Sequence, residues 1–141
     1  MTRLFKIIGQ KNGLTFSYAD ITDMEKIRAQ LRPGTRALYI ETPSNPMINI
    51  TDLRACAALA KEHGLMLIVD NIFLSPYLQN PLKLGVDLVI HSSSKFLSDH
   101  NDTISGFLSD DPGRRSRSGF RHIPPRSPRR WWFCGPQDSQ D

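Results

Sequence analysis

The residues best suited to chemistry are a lysine and an aspartate, each following an apolar stretch. Lys95 comes directly after three serines in the run His91–Phe96, and Asp70 lies 25 residues upstream in Val69-Asp70-Asn71. A lysine amine can form a Schiff base with an aldehyde, serine hydroxyls can bind phosphate oxygens, and a carboxylate can keep a pyridine nitrogen protonated. Together these are the needs of a pyridoxal phosphate (PLP) site, so the sequence predicts PLP as a cofactor.

Several stretches of the chain have the pattern of β-strands. Alternating residues predict a short strand at Leu14–Tyr18, and β-type composition predicts another at Arg36–Glu41. Leu65–Val69 is almost wholly apolar, as in a buried parallel strand, and Asp87–His91 has the same character.

Helices are predicted between these strands. Thr22 is the predicted N-cap of the first, with Glu25 completing a capping box, and Pro33-Gly34 stops it. Thr51-Asp52 caps the second, which ends at His63-Gly64. Strands that alternate with helices predict a parallel α/β sheet.

The candidate site residues share a position relative to the predicted strands. Asn45, Asp70 and Ser92–Lys95 each follow a strand end. Ligands of parallel α/β sheets bind beyond the carboxyl ends of the strands. We therefore expect these residues to line one edge of the sheet.

Composition indicates one globular domain in a reducing compartment. The chain has 141 residues, 39% of them hydrophobic, and no apolar run approaches the ~18 residues of a membrane span. It shows no signal-peptide pattern, and its two cysteines form no disulfide framework, so we expect a cytoplasmic protein without membrane association. The histidines and cysteines lack the spacing of a metal site, and none is predicted.

Charge divides the chain into two parts. Residues 1–112 carry a net charge of −1, whereas residues 113–141 carry +5 through seven arginines. We expect residues 1–111 to form the folded part and residues 112–141 to be an Arg/Pro-rich tail, disordered or translated out of frame. The body shows no sign of nucleic-acid binding, which stays open only as an alternative role of the tail.

Several motifs resemble one enzyme family when taken together and in order. They are Glu41–Pro46, Val69–Asn71, Ser75–Leu82, Leu84–Asp87 and His91–Leu97. Residues 3–111 resemble the central part of the Cys/Met-metabolism PLP-dependent enzymes, which include cystathionine γ-synthase, the cystathionine lyases, methionine γ-lyase and O-acetylhomoserine sulfhydrylase. The resemblance implies a partial, incomplete fold-type I aminotransferase-like large domain that binds PLP.

The resemblance also implies roles for individual residues. Lys95 would be the catalytic lysine that holds PLP and later acts as acid or base, and Asp70 would pair with the pyridine nitrogen. Ser92 and Ser94 would bind the phosphate, and Asn45 would lie near the phenolic oxygen of the cofactor. The substrate would be an amino acid undergoing β/γ-elimination or γ-replacement, and intact family members would be homo-oligomers.

The sequence departs from the family pattern in places. Ile72 stands where the family usually has threonine, and Ser98-Asp99 stands where it has two glycines. The glycine-rich phosphate loop, the stacking aromatic residue and the substrate-binding arginine of the family are not visible in the chain. We therefore expect a fragment that is inactive alone, and the alternative is a non-catalytic remnant.

Overall fold

The computed structural model describes residues 7, 9–97, 104–110 and 132–133. Five strands form one sheet: β1 (Ala37–Glu41), β2 (Met66–Asp70), β3 (Leu88–Ser92), β4 (Gly106–Asp110) and β5 (Trp132–Phe133). Within the described residues, three α-helices accompany it: α1 (Met24–Gln30), α2 (Leu53–Glu62) and α3 (Ser75–Leu78). Short 3₁₀ turns at Gln10–Asn12 and Pro81–Leu84, and a π-helical turn at Ser93–Leu97, complete the described elements.

The sheet is mixed and partly parallel, with the strand order β4-β3-β2-β1-β5. β1, β2 and β3 run parallel to one another, and β5 runs parallel to β1. β4 pairs antiparallel with β3, with Ser92 opposite Gly106, a reversal that the parallel α/β prediction did not include. The α/β class predicted from sequence is otherwise confirmed.

One face of the sheet packs against the helices and forms the main core. Leu38, Ile40, Leu67 and Val69 point to this face, where Ile27 of α1 and Cys56 of α2 are fully buried. Arg28 of α1 also donates two hydrogen bonds to the Glu62 carboxylate of α2, at 3.2 and 3.3 Å. Because side chains alternate along a strand, the intervening residues, which include Tyr39 and Ile68, lie on the opposite face of the sheet.

An aspartate side chain secures the register of β2 and β3. The Asp87 carboxylate accepts a hydrogen bond from the Leu67 amide at 2.8 Å, and the Asp87 amide donates to the Leu67 carbonyl at 3.0 Å. These bonds place Asp70 opposite Ile90, two residues before the end of β3, so Asp70 and Ser92 lie at the same edge.

Two local sequence predictions were wrong. Leu14–Tyr18 forms no strand, since these residues make no ladder with any described part of the sheet. The N-cap of α1 is Asp23, not Thr22: Asp23 Oδ1 accepts from the amides of Glu25 (3.0 Å) and Lys26 (3.3 Å). Thr22 instead donates its hydroxyl to the Asp20 carboxylate at 2.7 Å, in a local contact outside the helix.

The second helix follows the prediction closely. Asp52 caps α2 by accepting from the amides of Arg54 (2.9 Å) and Ala55 (3.1 Å), and the helix ends at the C-cap residue His63. Among the described residues, no helix is both long enough and apolar enough to cross a membrane.

Most of the predicted tail lies outside the described residues. The disorder predicted for residues 112–131 and 134–141 therefore stays a prediction. Trp132–Phe133 is described, and it forms β5 beside β1.

Candidate functional site

Asp70 is the central polar residue of the carboxyl edge. It ends β2, it is 3% exposed, and both of its oxygens accept hydrogen bonds. Oδ2 accepts from the Tyr39 hydroxyl at 2.9 Å, and Oδ1 accepts from the Ile72 amide at 3.2 Å. Burial raises the pKa of Asp70, while these two hydrogen bonds and the positive charge of Lys95 oppose the rise.

A second carboxylate lies beside Asp70. Glu41 ends β1 and is the register partner of Asp70, so the two side chains share one sheet face. Burial, followed by the charge of Asp70, raises the pKa of Glu41, while a hydrogen bond from the Asn45 backbone lowers it. The edge therefore concentrates negative charge and favours a cationic ligand group.

Lys95 supplies a positive charge on the same side. It is exposed in the turn Ser93–Leu97, and its charge lowers the pKa of both Asp70 and Glu41. The next residue, Phe96, packs its ring 5.9 Å from that of Phe73 in the loop after β2. This aromatic contact ties the lysine turn to the strand that carries the aspartate.

The serines before Lys95 occupy different environments. Ser92 ends β3 on the same sheet face as Asp70 and is half-buried. Ser93 is buried, and its hydroxyl forms a hydrogen bond with the hydroxyl of Ser105. The Ser94 hydroxyl accepts from the Ser105 amide at 2.9 Å and donates to the Ser105 carbonyl at 3.2 Å. Ser92 and Ser94 are thus both half-buried, Ser92 at the end of β3 and Ser94 within the lysine turn.

Asn45 lies in the exposed loop after β1. Its backbone forms a hydrogen bond with the Glu41 carboxylate, which brings the loop to the carboxyl edge. The Asn45 side chain itself gives no indication of a ligand. The structure thus brings Asp70, Ser92 and Lys95 to one edge and leaves Asn45 at the rim.

The loop after Asp70 is held by a buried amide. Asn71 is fully buried, and its side-chain nitrogen donates to the carbonyls of Gln79 (3.0 Å) and Ser75 (3.3 Å). Gln79 returns a hydrogen bond to the Asn71 side-chain oxygen at 2.8 Å. These bonds fix the path of the chain immediately beyond the aspartate.

His91 is a buried histidine close to the site. Burial lowers its pKa, which the charge of Asp70 and a hydrogen bond with the Asn71 backbone partly offset. Its Nδ1 atom has no hydrogen-bond partner among the described residues. Within the described part of the chain, no group of three or more metal-ligating side chains comes together.

Sequence reasoning missed two residues of this edge, Tyr39 and Glu41. Both belong to a strand that was predicted, and both lie on the sheet face of Asp70. The signal was the strand alternation, which places a tyrosine two residues before the strand end on the same face as the terminal carboxylate.

Comparison with known proteins agrees with this geometry. Residues 1–122 match the sequence profile of the Cys/Met metabolism PLP-dependent enzymes. The chain belongs to this family. Family members are enzymes that use PLP, which confirms the cofactor and the enzyme class predicted from the motifs.

Individual relatives are similar over much of this chain. A cystathionine gamma-synthase/O-acetylhomoserine (thiol)-lyase of Bacillus subtilis is 45% identical over 120 residues, covering 85% of this chain and 32% of the relative. The cystathionine beta-lyase MetC of the same organism is 48% identical over 94 residues, covering 67% and 24%. A solved cystathionine gamma-lyase of Lactobacillus plantarum, complexed with L-serine, superposes with a TM-score of 0.79 at 42% identity, covering 83% of this chain and 31% of that chain. The chain therefore spans about a quarter to a third of the length of these Cys/Met metabolism enzymes.

The donor set of the carboxyl edge fits PLP. Asp70 is a buried carboxylate with oriented oxygens, as a protonated ring nitrogen requires, and an exposed primary amine lies on the same side. Hydroxyls of Ser92 and Ser94 lie between them along the chain and can bind a phosphate group.

Proposed function

We propose that this chain is the cofactor-anchoring segment of a PLP-dependent enzyme that acts on sulfur-containing amino acids. The observation that carries the proposal is the pairing of a buried, doubly hydrogen-bonded Asp70 with an exposed Lys95 across one sheet edge. Membership of the Cys/Met metabolism family supports the same conclusion.

Each residue of the edge would have a separate task. Lys95 Nζ would hold the aldehyde carbon, and Asp70 would hold the protonated ring nitrogen through a charge-assisted hydrogen bond. Ser92 and Ser94 would bind phosphate oxygens. To do so, the Ser94 hydroxyl would give up its hydrogen bond to the Ser105 carbonyl and donate to a phosphate oxygen. Asn45 would lie near the phenolic oxygen.

The chemistry divides between cofactor and protein. PLP, once bound, supplies an electron sink for the pair left behind when a bond at the substrate α-carbon breaks. Asp70 keeps the ring nitrogen protonated, so that the sink stays effective. The freed Lys95 amine would take the proton from the substrate α-carbon and return a proton later, as general base and then acid.

The reaction class follows from the relatives by analogy. We infer a β- or γ-elimination or a γ-replacement of the transsulfuration type, in a cytoplasmic homo-oligomer with an amino acid as substrate. Relatives with this degree of similarity are described as cystathionine gamma-synthase/O-acetylhomoserine (thiol)-lyase and cystathionine beta-lyase. Because this chain spans about a quarter to a third of their length, we propose that it needs further polypeptide for turnover.

Covalent capture of the cofactor tests the proposal. The purified chain is incubated with PLP, reduced with borohydride and mapped by peptide mass spectrometry, which should place the label on Lys95. Lys95→Ala should abolish the label, whereas Lys83→Ala, a change of another exposed lysine, should leave it intact. Label spread evenly over Lys11, Lys26 and Lys61 would contradict a formed site.

A further inference from the structure

Tyr39 donates the hydrogen bond that orients the carboxylate of Asp70. The hydroxyl lies 2.9 Å from Asp70 Oδ2, on the neighbouring strand and two residues before the register partner of Asp70. Both residues are buried, with Tyr39 4% and Asp70 3% exposed. A hydrogen bond in such surroundings is weakly screened by water, so it acts strongly on the carboxylate.

The ring of Tyr39 is held in place by packing. It clusters with Ala37 and Ile68 on the sheet face away from the helices. Both ends of the Tyr39–Asp70 contact therefore rest on paired strands, and the hydroxyl needs no rearrangement to meet Oδ2. The other oxygen, Oδ1, is held by the Ile72 amide at 3.2 Å.

The two bonds leave acceptor positions of the Asp70 carboxylate unused. An ionised carboxylate has about four lone-pair positions on two oxygens. The Tyr39 hydroxyl and the Ile72 amide use one position on each oxygen. A ring N–H can therefore approach a carboxylate whose plane is already set.

We propose that Tyr39 is a positioning residue, which fixes the Asp70 carboxylate in the orientation that receives the protonated ring nitrogen of PLP. This inference rests on the proposed function, because it needs Asp70 to meet the cofactor. Tyr39 itself does not contact the reacting atoms in this scheme; it acts through Asp70.

The electrostatic surroundings explain why such a donor is needed. Burial disfavours the ionised form of the Asp70 carboxylate on β2, and the charge of Asp70 in turn raises the pKa of Glu41 on β1. His91 on β3 and Lys95 in the following turn act in the opposite direction, as does the Tyr39 hydroxyl. Burial and the Asp70 charge raise the pKa of Tyr39 far above its usual range, so the phenol keeps its proton and remains a donor.

Tyr39→Phe tests the proposal with little disturbance of packing, since only the hydroxyl is removed. The matched control is Tyr77→Phe, because Tyr77 is 94% exposed and has no part in the proposed site. The first measurement is the carboxyl ¹³C titration of Asp70 in the chain without PLP, assigned with Asp70→Asn. The second is the affinity for PLP, followed by visible absorbance and by capture at Lys95.

We expect Tyr39→Phe to raise the titration midpoint of Asp70 by about one pH unit and to weaken PLP binding about tenfold. Tyr77→Phe should change neither quantity. An unmoved midpoint and unchanged affinity in Tyr39→Phe, with the far-ultraviolet circular dichroism of the original chain, would overturn the role of Tyr39 and leave the proposed function standing. Failure of the unmodified chain to take up PLP at Lys95 would overturn the proposed function, and with it the role of Tyr39 toward the cofactor.

Discussion

At the scale of single residues, the site combines the buried Asp70 and the half-buried Glu41 with the exposed Lys95. Asp70 and Glu41 are register partners, and burial raises the pKa of both. Such a pair is costly unless donors or cations compensate, because like charges repel strongly where water is excluded. Tyr39, the Ile72 amide and Lys95 provide that compensation for Asp70.

Removing the Asp70 carboxylate should cost more cofactor affinity than removing one hydroxyl. A charge-assisted hydrogen bond contributes about 1.5–3 kcal/mol. We therefore expect Asp70→Ala to weaken PLP binding by about 10- to 150-fold, and Ser92→Ala by less, since Ser94 would remain. Fluorescence titration with PLP measures both affinities. Equal and negligible effects of the two changes would refute the assignment of Asp70.

His91 should make stability depend on pH near neutrality. Its pKa in the folded chain lies below the ordinary value of 6.5, so the unfolded chain binds the proton more tightly. Stability is therefore full above about 6.5 and falls as the pH drops toward the folded-state pKa. Urea unfolding between pH 8 and pH 5 should show this loss. It should be smaller in His91→Gln; the same slope in both proteins would contradict the prediction.

At the scale of elements, the N-cap side chains Asp23 and Asp52 determine where α1 and α2 begin. α1 contains seven residues and buries Ile27 completely, and a helix this short depends strongly on its N-cap. Asp23 and Thr22 are adjacent hydroxyl- or carboxylate-bearing residues, and both are residue types favoured as N-caps. The choice between them depended on Asp20, which binds both the amide and the hydroxyl of Thr22.

Adjacent alanine substitutions distinguish the two candidate caps. Asp23→Ala removes the acceptor of two helix amides and should lower the free energy of unfolding by about 1 kcal/mol. Thr22→Ala breaks an exposed contact outside the helix and should cost less than half of that. Urea denaturation at neutral pH gives both values. A larger loss in Thr22→Ala would return the cap to the residue that the capping-box pattern indicated.

At the scale of the whole molecule, β4 is an exposed edge of the sheet. Its side chains include Phe107, 57% exposed, and Leu108, 68% exposed, and Ile104 before it is fully exposed. β4 ends the described strand order on one side. Exposed apolar edge strands invite pairing with other chains, so we expect the purified chain to self-associate.

We expect no appreciable turnover from this chain alone. PLP catalysis requires the α-proton to be held in line with the ring and close to the base, which needs groups on several sides of the cofactor. The described residues supply one edge, and the chain spans about a third of its relatives. The assay is purified chain with PLP and cystathionine, O-acetylhomoserine or methionine, following thiol or keto-acid release. Turnover within tenfold of ~10 per second, a typical enzyme median, would show that the segment is sufficient.

The sequence by itself determined the family, the cofactor and the elements that carry Asp70 and Lys95. Those features depend on local patterns: an apolar run predicts a buried strand, and an ordered set of motifs specifies a family. The carboxyl-edge placement of Asp70 and Ser92 followed from strand ends alone.

Only the tertiary structure decided the partners of these residues. The contact of Tyr39 with Asp70 joins positions 31 residues apart, and it requires the register of β1 and β2, which no local pattern encodes. The antiparallel direction of β4 was likewise set by long-range pairing. Residue types along the chain identify the candidate groups. The orientation of the Asp70 carboxylate depends on which donors, distant in sequence, the folded sheet places beside it.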